Sequence, residues 1–390
     1  MLNYPARLDK VRARMAQENI GLMYLPFGAN LFYLTGLQRH EQGGTDHNKY
    51  GDWVSGGYIG LEDGVDLVAA RMGGSFFEGQ IADKPWFNPP RLLVESEEPL
   101  AVLKGVLSRL DLRGQKVALD DRTWAQTALA LRRLLPEVEF VLASDIIAPL
   151  RMIKSQAELD LMRRAGQVTD AVFQKALDIL KPGVSEWDVA NEINYQFKLH
   201  GAQCTSFVTA IYFNGPTHEP DVLAAQASER ALQPGDSVMF DFGCVYEGYC
   251  SDFGRTAFVG QPPAGYVKIH ELVLEAQREA MGNMKAGQIT AAEANASARA
   301  VIEEAGYGPN FVHRLGHGIG VTVHEVPFLD VMDHSVLQAN MTFTVEPSIL
   351  SVKENPIPGH LANRVEDVVQ VTEGGAVSLY ATDRRLYVVD

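Results

Sequence analysis

The stretch FVHRLGHGIGVTVHEVP, Phe311 to Pro327, sets His313, His317 and His324 among Gly316, Gly318 and Gly320. Upstream, SVMFDFGCVYEGYCSDFGRTAF carries Asp241 and Asp252 on two strand-like runs that flank YEGY. A hairpin is expected there, bringing the two carboxylates face to face. Downstream, NMTFTVEPSIL ends an apolar run on Glu346, and NRVEDVVQVT sets Glu366 inside another. Taken singly, each acid has an ordinary reading: turn chemistry for an Asp at a strand end, a solvated strand face for a Glu. Taken together with His317, they make four carboxylates and one imidazole in apolar, β-rich sequence. Buried carboxylates that face one another repel and need a cation or donors. Such an oxygen-rich set suits two divalent ions with carboxylates bridging them.

Elements must exist to hold these groups. At 390 residues the chain exceeds one typical core, so two domains are expected, divided as 1–148 and 149–390. PARLDKVRARMAQENI places Leu8, Val11 and Met15 at helical spacing, and GLMYLPF reads as a buried strand. YIGLEDGVDLVAA reads as a hairpin about Glu62-Asp63-Gly64; KVALDD is a further strand and TWAQTALALRRLLPE a further helix. This alternation predicts an α/β layer domain. Pro149 is expected to interrupt the chain at the join, and Ser155 with Glu158 forms a capping box that opens a long helix. Beyond it lies a faint internal repeat. ALDILKPGVSEWDVANEI and AMGNMKAGQITAAEANAS each end a helix at a glycine, Gly183 or Gly287. Each then restarts one with a capping box, Ser185/Asp188 or Thr290/Glu293. Two similar halves with a site between them is the natural consequence.

Composition narrows the partners. The net charge is −15, which repels phosphate backbones and anionic membrane surfaces, so neither nucleic acid nor membrane is expected. Three cysteines, Cys204, Cys244 and Cys250, form a sparse odd set that fits a reducing, cytoplasmic setting. The first residues lack the apolar run of a signal peptide, and no stretch is long and apolar enough to span a bilayer.

The order Asp, Asp, His, Glu, Glu resembles that of the pita-bread metallopeptidases, which include methionine aminopeptidase, Xaa-Pro aminopeptidase and prolidase. The phrases that carry the likeness are DFGCVYEGYCSDFGRT, HRLGHGIGVTVHEVP, TVEPSI and RVEDVVQVT, and it runs roughly from Pro149 to Thr372. YCSDFGRT and GHGIGVTVHEVP resemble the Xaa-Pro branch most. The implied architecture is a creatinase-type α/β N-terminal domain followed by an α+β pita-bread catalytic domain. The implied activity is hydrolysis with two divalent ions, drawn from Mn²⁺, Co²⁺, Zn²⁺ or Fe²⁺. Asp241 would hold one ion, Asp252 and Glu366 would bridge, and His317 with Glu346 would hold the other. Glu346 would also carry a proton from the attacking water to the leaving nitrogen. His324 would face the scissile carbonyl, Arg364 would lie beside the site, and His313 would pack behind His317. The three glycines about His317 are expected to let the backbone pass close to the metals.

Three departures from the family's pattern bear on substrate. EPSIL has Ser348 and Leu350 where the peptidases usually carry Gly and an aromatic residue. His218 stands where a substrate-side histidine is expected, but further from Asp241 than usual. The polar loop RHEQGGTDHNKYGDW, Arg39 to Trp53, holds His40, Glu41, Asp46, His47 and Trp53. Relatives of this branch are commonly homodimers, and in one the loop would wall the partner's pocket, with His47 and Trp53 touching substrate. Three readings follow: an Xaa-Pro aminopeptidase or dipeptidase acting on small peptides, a pita-bread enzyme for an osmolyte-like molecule (an ectoine-type hydrolase or sulfonium lyase), or a non-catalytic binding module. The full ligand set argues against the last.

Overall fold

The computed structural model describes residues 2–38, 51–62, 64–215, 227–350 and 362–390. The chain divides into two compact units, Met1–Leu150 and Arg151–Asp390.

The first unit is built on one mixed sheet. Its strands are β1 (Ile20–Leu25), β2 (Gly56–Gly60), β3 (Asp66–Ala70), β4 (Arg91–Leu93), β5 (Lys116–Leu119) and β6 (Phe140–Leu142), in the order β4-β3-β2-β1-β5-β6. β2 runs antiparallel to β1 and β3, so the hairpin read about Gly64 is present; β5 and β6 run parallel to β1. Around the sheet lie α1 (Tyr4–Gln17), α2 (Ala29–Thr35), α3 (Gly74–Ile81), α4 (Pro99–Leu107) and α5 (Ala125–Leu134). α1 buries Leu8, Val11 and Met15, the three positions its sequence spacing aligned. Trp53 is partly buried and packs against this unit's core, which includes Leu103, Val117 and Leu131.

α6 (Ser144–Met152) carries the division between the units, and it continues through Pro149. The expected interruption is therefore absent. In so short a helix the proline forfeits one backbone bond, and Ile146 and Ile147 are buried on it.

The second unit opens with α7 (Gln156–Ile179), capped by Ser155 and Glu158, and α8 (Glu186–Leu199), capped by Ser185 and Asp188. Strands β7 (Cys204–Thr205), β8 (Ala210–Asn214), β9 (Ser237–Phe242), β10 (Cys244–Tyr246), β11 (Tyr249–Cys250) and β12 (Phe253–Val259) follow. Then come α9 (Ala264–Asn283) and α10 (Ala291–Glu304), the latter capped by Thr290 and Glu293. The chain continues through β13 (Gly316–Gly318), β14 (Glu325–Leu329), β15 (Thr342–Val345) and β16 (Ser348–Ile349). It ends with β17 (Asn363–Arg364), β18 (Asp367–Thr372), β19 (Gly375–Ser378) and β20 (Tyr387–Val389).

Two helix-on-sheet halves result. α7 and α8 cover the sheet β20-β12-β9-β8, with Phe173, Phe197, Phe240, Phe242 and Phe253 in one cluster. α9 and α10 cover β14-β13-β15-β18-β19 through a cluster that includes Val273, Ala294, Ala298, Phe343 and Val369. Each buried aromatic of the first cluster contributes about 1.5–3 kcal/mol, so the strands beneath are firmly registered. The repeated helix–glycine–capped helix layout read in the sequence is present in both halves. No helix among the described residues is long and apolar enough to cross a membrane.

Candidate metal centre

The two aspartates reach one another by strand pairing. β9 and β12 run antiparallel, with Gly254 opposite Asp241 and Phe253 opposite Phe242. Between them β10 and β11 turn through Glu247-Gly248, both at positive φ, as the hairpin reading required. Glu366 arrives from the other half. It exchanges backbone hydrogen bonds with Gly254, at 2.9 and 3.3 Å, just before β18. A Cβ at Gly254 would lie 2.9 Å from the Glu366 carboxylate and 3.2 Å from Arg364 Cδ. Only glycine lets these two halves close on the carboxylates.

One carboxylate oxygen each from Asp241, Asp252 and Glu366 lies within 4.8 Å of the others. His317, on β13, turns Nε2 toward this group, 3.5 Å from Asp252 Oδ2 and 3.5 Å from Glu346 Oε1. Its Nδ1 sits 3.0 Å from the Gly318 carbonyl, which requires a proton there and leaves Nε2 bare. Glu346 follows β15 and accepts from Thr344 Oγ1 at 3.1 Å, while its own N–H donates to the Leu315 carbonyl. The five residues read as ligands are thus gathered at one place. Arg364 joins them, with Nη1 on Asp241 and 4.0 Å from Glu346 Oε2.

Electrostatics separate this cluster from an ordinary polar core. Burial, then repulsion from Asp241 and Glu346, pushes Asp252 far above the usual carboxylate range. Burial, then repulsion from Asp252, Glu346 and Asp241, does so for Glu366. Asp241 is raised too, by burial, against the pull of Arg364. Asp252 Oδ1 and Glu366 Oε2 are buried with no hydrogen-bond partner. A buried acceptor without a donor costs about 1–3 kcal/mol, and two in one cluster call for a cation. The donor set, carboxylate oxygens with one bare imidazole nitrogen, fits a divalent metal.

The three histidines occupy different places about the cluster. His324 presents an exposed edge, its ring centroid 4.1 Å from that of His317. The covered part of its ring, with His317 and Arg314 alongside, brings its pKa down to about 4. Burial brings His317 and His313 to about 4 as well. His313 sits behind the cluster against Ser348 and Arg364.

The glycines have a different purpose from the expected one. A Cβ on Gly316 would strike the Thr344 carbonyl at 2.0 Å, and one on Gly318 the Glu325 carbonyl at 2.7 Å. On Gly320 it would meet the Glu325 carboxylate at 2.9 Å. They admit neighbouring strands and a side chain, and the close approach is to protein.

Sequence reasoning missed the groups that brace the site. Arg255 is fully buried and spends all five N–H groups: on Asp367 at 2.8 Å and on the carbonyls of Gly254, Glu366, Thr382 and Asp383. Tyr380 hydroxyl donates to the Asp252 carbonyl at 2.5 Å and accepts from its N–H at 3.0 Å. Glu325, next to His324, is buried between Arg151 at 2.5 Å and Lys154 at 3.2 Å. It also accepts from Thr322 N–H, and Thr322 Oγ1 donates to the His324 carbonyl. Arg255 and Glu325 lie inside phrases singled out for chemistry, but a charge buried on a salt bridge has no signature in one sequence. His218, His40, Glu41, Asp46 and His47 fall outside the described residues.

The profile of metallopeptidase family M24 matches residues 160–373. The chain belongs to metallopeptidase family M24. This metallopeptidase is 37% identical over 248 residues to the Xaa-Pro dipeptidase of Pyrococcus furiosus, covering 64% of this chain and 68% of that one. Its structure is similar to that of the prolidase from Thermococcus sibiricus, with a TM-score of 0.87 and 29% identity over the whole of both chains. It is also similar to that of dipeptidase PepE from Mycobacterium ulcerans, with a TM-score of 0.82 and 31% identity over 99% of this chain and 98% of that one. The fold is accordingly an α/β N-terminal unit followed by an α+β pita-bread unit, and the enzyme is a metal-dependent hydrolase.

Proposed function

We propose that this metallopeptidase is an Xaa-Pro dipeptidase that uses two divalent ions to hydrolyse the bond before proline in small peptides. The observation that carries the reading is the pair of orphaned buried oxygens, Asp252 Oδ1 and Glu366 Oε2, facing the bare Nε2 side of His317 and Glu346. The four carboxylates carry as much negative charge as two divalent ions carry positive. Asp241, Asp252, His317, Glu346 and Glu366 would hold the ions, with Asp252 and Glu366 shared between them. When bound, the ions supply an activated water and polarise the scissile carbonyl.

The chain's own residues do the rest. Glu346 takes the water's proton and passes it to the proline nitrogen, the leaving group, whose tertiary amide has no proton of its own. His324, neutral at pH 7, offers one N–H to the oxygen that gains charge as the carbonyl becomes tetrahedral. Arg364 steadies Asp241. His218, His47 and Trp53 are proposed contacts for the substrate's ends, the last two across a homodimer interface. None of the three cysteines is in a disulfide, which fits a cytoplasmic setting. The activities named for the relatives are peptidase activities, and they favour this reading over an osmolyte-like substrate.

The test is a substrate panel under Mn²⁺, Co²⁺, Zn²⁺ and Fe²⁺: Xaa-Pro dipeptides, longer Xaa-Pro peptides, dipeptides without proline, ectoine and a sulfonium compound. Preferred cleavage of Xaa-Pro dipeptides is expected. Turnover of ectoine or the sulfonium compound with no peptide cleavage would overturn the proposal. The dimer claim has a separate test. A His47→Ala chain and an Asp252→Asn chain, each nearly inactive alone, should recover activity as purified heterodimers.

A further inference from the structure

Ser348 marks a departure from the pattern of similar peptidases, and its surroundings give the hydroxyl a task. It is fully buried on β16, directly opposite Arg364 on β17. Arg364 Nε lies 2.9 Å from Ser348 Oγ, and His313 Nε2 lies 2.9 Å from the same oxygen. Proton inventory fixes the direction of this chain. His313 Nδ1 is 2.7 Å from the Arg314 carbonyl, an acceptor only, so the ring proton sits on Nδ1 and Nε2 is bare. Arg364 Nε can only donate. Ser348 Oγ therefore accepts from Arg364, and its single proton has two acceptors in reach, His313 Nε2 at 2.9 Å and the Glu346 carbonyl at 3.2 Å, of which the nearer, His313, takes it. Without the hydroxyl, Arg364 Nη2 would face His313 Nε2 only at 3.5 Å, too long for a firm bond.

The consequence reaches the carboxylates. A guanidinium is planar, so fixing Nε fixes where Nη1 points, and Nη1 rests on Asp241. We propose that Ser348 is a positioning residue of this enzyme, whose hydroxyl, braced by His313, aims Arg364 at Asp241 and so holds the Asp241 oxygen for its metal. The inference rests on the assignment of Asp241 as a ligand. Glycine at this position would leave a space the size of a methyl plus a hydroxyl, which a water can enter and bridge. Alanine keeps the Cβ and removes only the oxygen, leaving a gap too small for water and a buried cationic donor unmet.

The experiment compares Ser348→Ala and Ser348→Gly for Mn²⁺ affinity by calorimetry and for kcat/KM on an Xaa-Pro dipeptide. Ser348→Ala is expected to lower both about tenfold, the loss of one hydrogen bond to a charged group. Ser348→Gly is expected to lie between Ser348→Ala and the unmodified enzyme, the reverse of the order that lost packing would give. In an Arg364→Met background, Ser348→Ala should change Mn²⁺ affinity by less than about twofold, because residues that act through one another are not additive. Unchanged Mn²⁺ affinity in Ser348→Ala, a larger loss in Ser348→Gly, or an undiminished effect in the Arg364→Met background would each overturn the proposal. If the unmodified enzyme cleaves no Xaa-Pro peptide, the functional reading fails while the Mn²⁺ arms still decide this one.

Discussion

Glu366 and Asp367 are adjacent and both fully buried, yet their surroundings treat them oppositely. Glu366 points into the carboxylate cluster, where burial and its neighbours raise its pKa well above normal. Asp367 points the other way, where Arg255 and Arg384 overcome burial and lower it. The same contrast separates Asp252 from Glu325: the first is raised with one oxygen unpartnered, the second is held at about 2 by Arg151 and Lys154 against its burial. Burial is common to both kinds, so burial does not mark the site. What marks it is a pair of buried carboxylate oxygens, on Asp252 and Glu366, that no donor of the protein meets, next to carboxylates it has paired in full. The paired carboxylates hold the frame, and the unpaired ones await a cation.

The strongest break of this comparison is Asp252→Asn, which keeps shape and removes charge from the unpaired class. It should cost about one metal ion per chain by elemental analysis and lower turnover by at least about a hundredfold. Full metal content with full turnover would remove the dinuclear reading. His324→Ala tests a neighbour of the cluster that is outside both classes. Its metal content should stay intact while kcat falls roughly 100- to 1,000-fold, the usual loss for one donor to a developing oxyanion. If metals leave with the imidazole, His324 is a ligand.

Stability should then split the two classes by sign. Glu325→Gln breaks a paired, buried charge and should destabilise the metal-free protein by about 3–5 kcal/mol in denaturant titrations at pH 7. Glu366→Gln removes an unpaired one, whose carboxyl burial and its acidic neighbours push well above the usual range, and should stabilise the metal-free protein at that pH. Equal signs for the two substitutions would erase the distinction drawn here.

The smallest effect is in pH dependence. Glu325, depressed from 4.5 to about 2, contributes stability that is fully present above 4.5 and is lost as the pH falls toward 2. Asp252 and Glu366, raised from 3.8 and 4.5, contribute in the metal-free protein below those values, and the contribution is lost as the pH rises through their raised pKa values. Metal binding must displace those protons. The stabilisation that Mn²⁺ gives should therefore be larger at pH 8 than at pH 5, read as the shift in melting temperature; a larger shift at pH 5 would contradict it.

Much of this was legible in the sequence because it is local. Strand alternation, the YEGY turn, the capping boxes of α7, α8 and α10, and the order of the four acids and one histidine can be read along the chain. Chemistry-bearing residue types in that order point to the cluster that the strands gather. Pro149 misled because a single missing N–H is a weak signal against the tertiary burial of Ile146 and Ile147. What only the tertiary structure decided is pairing between distant residues. Gly254 against Glu366, Arg255 against Asp367, Arg151 and Lys154 against Glu325, and Ser348 between Arg364 and His313 join positions up to 174 residues apart. A sequence fixes which side chains carry charge, but whether a buried charge is cancelled depends on atoms within a few ångströms, and those come from strands and helices that meet only in the fold.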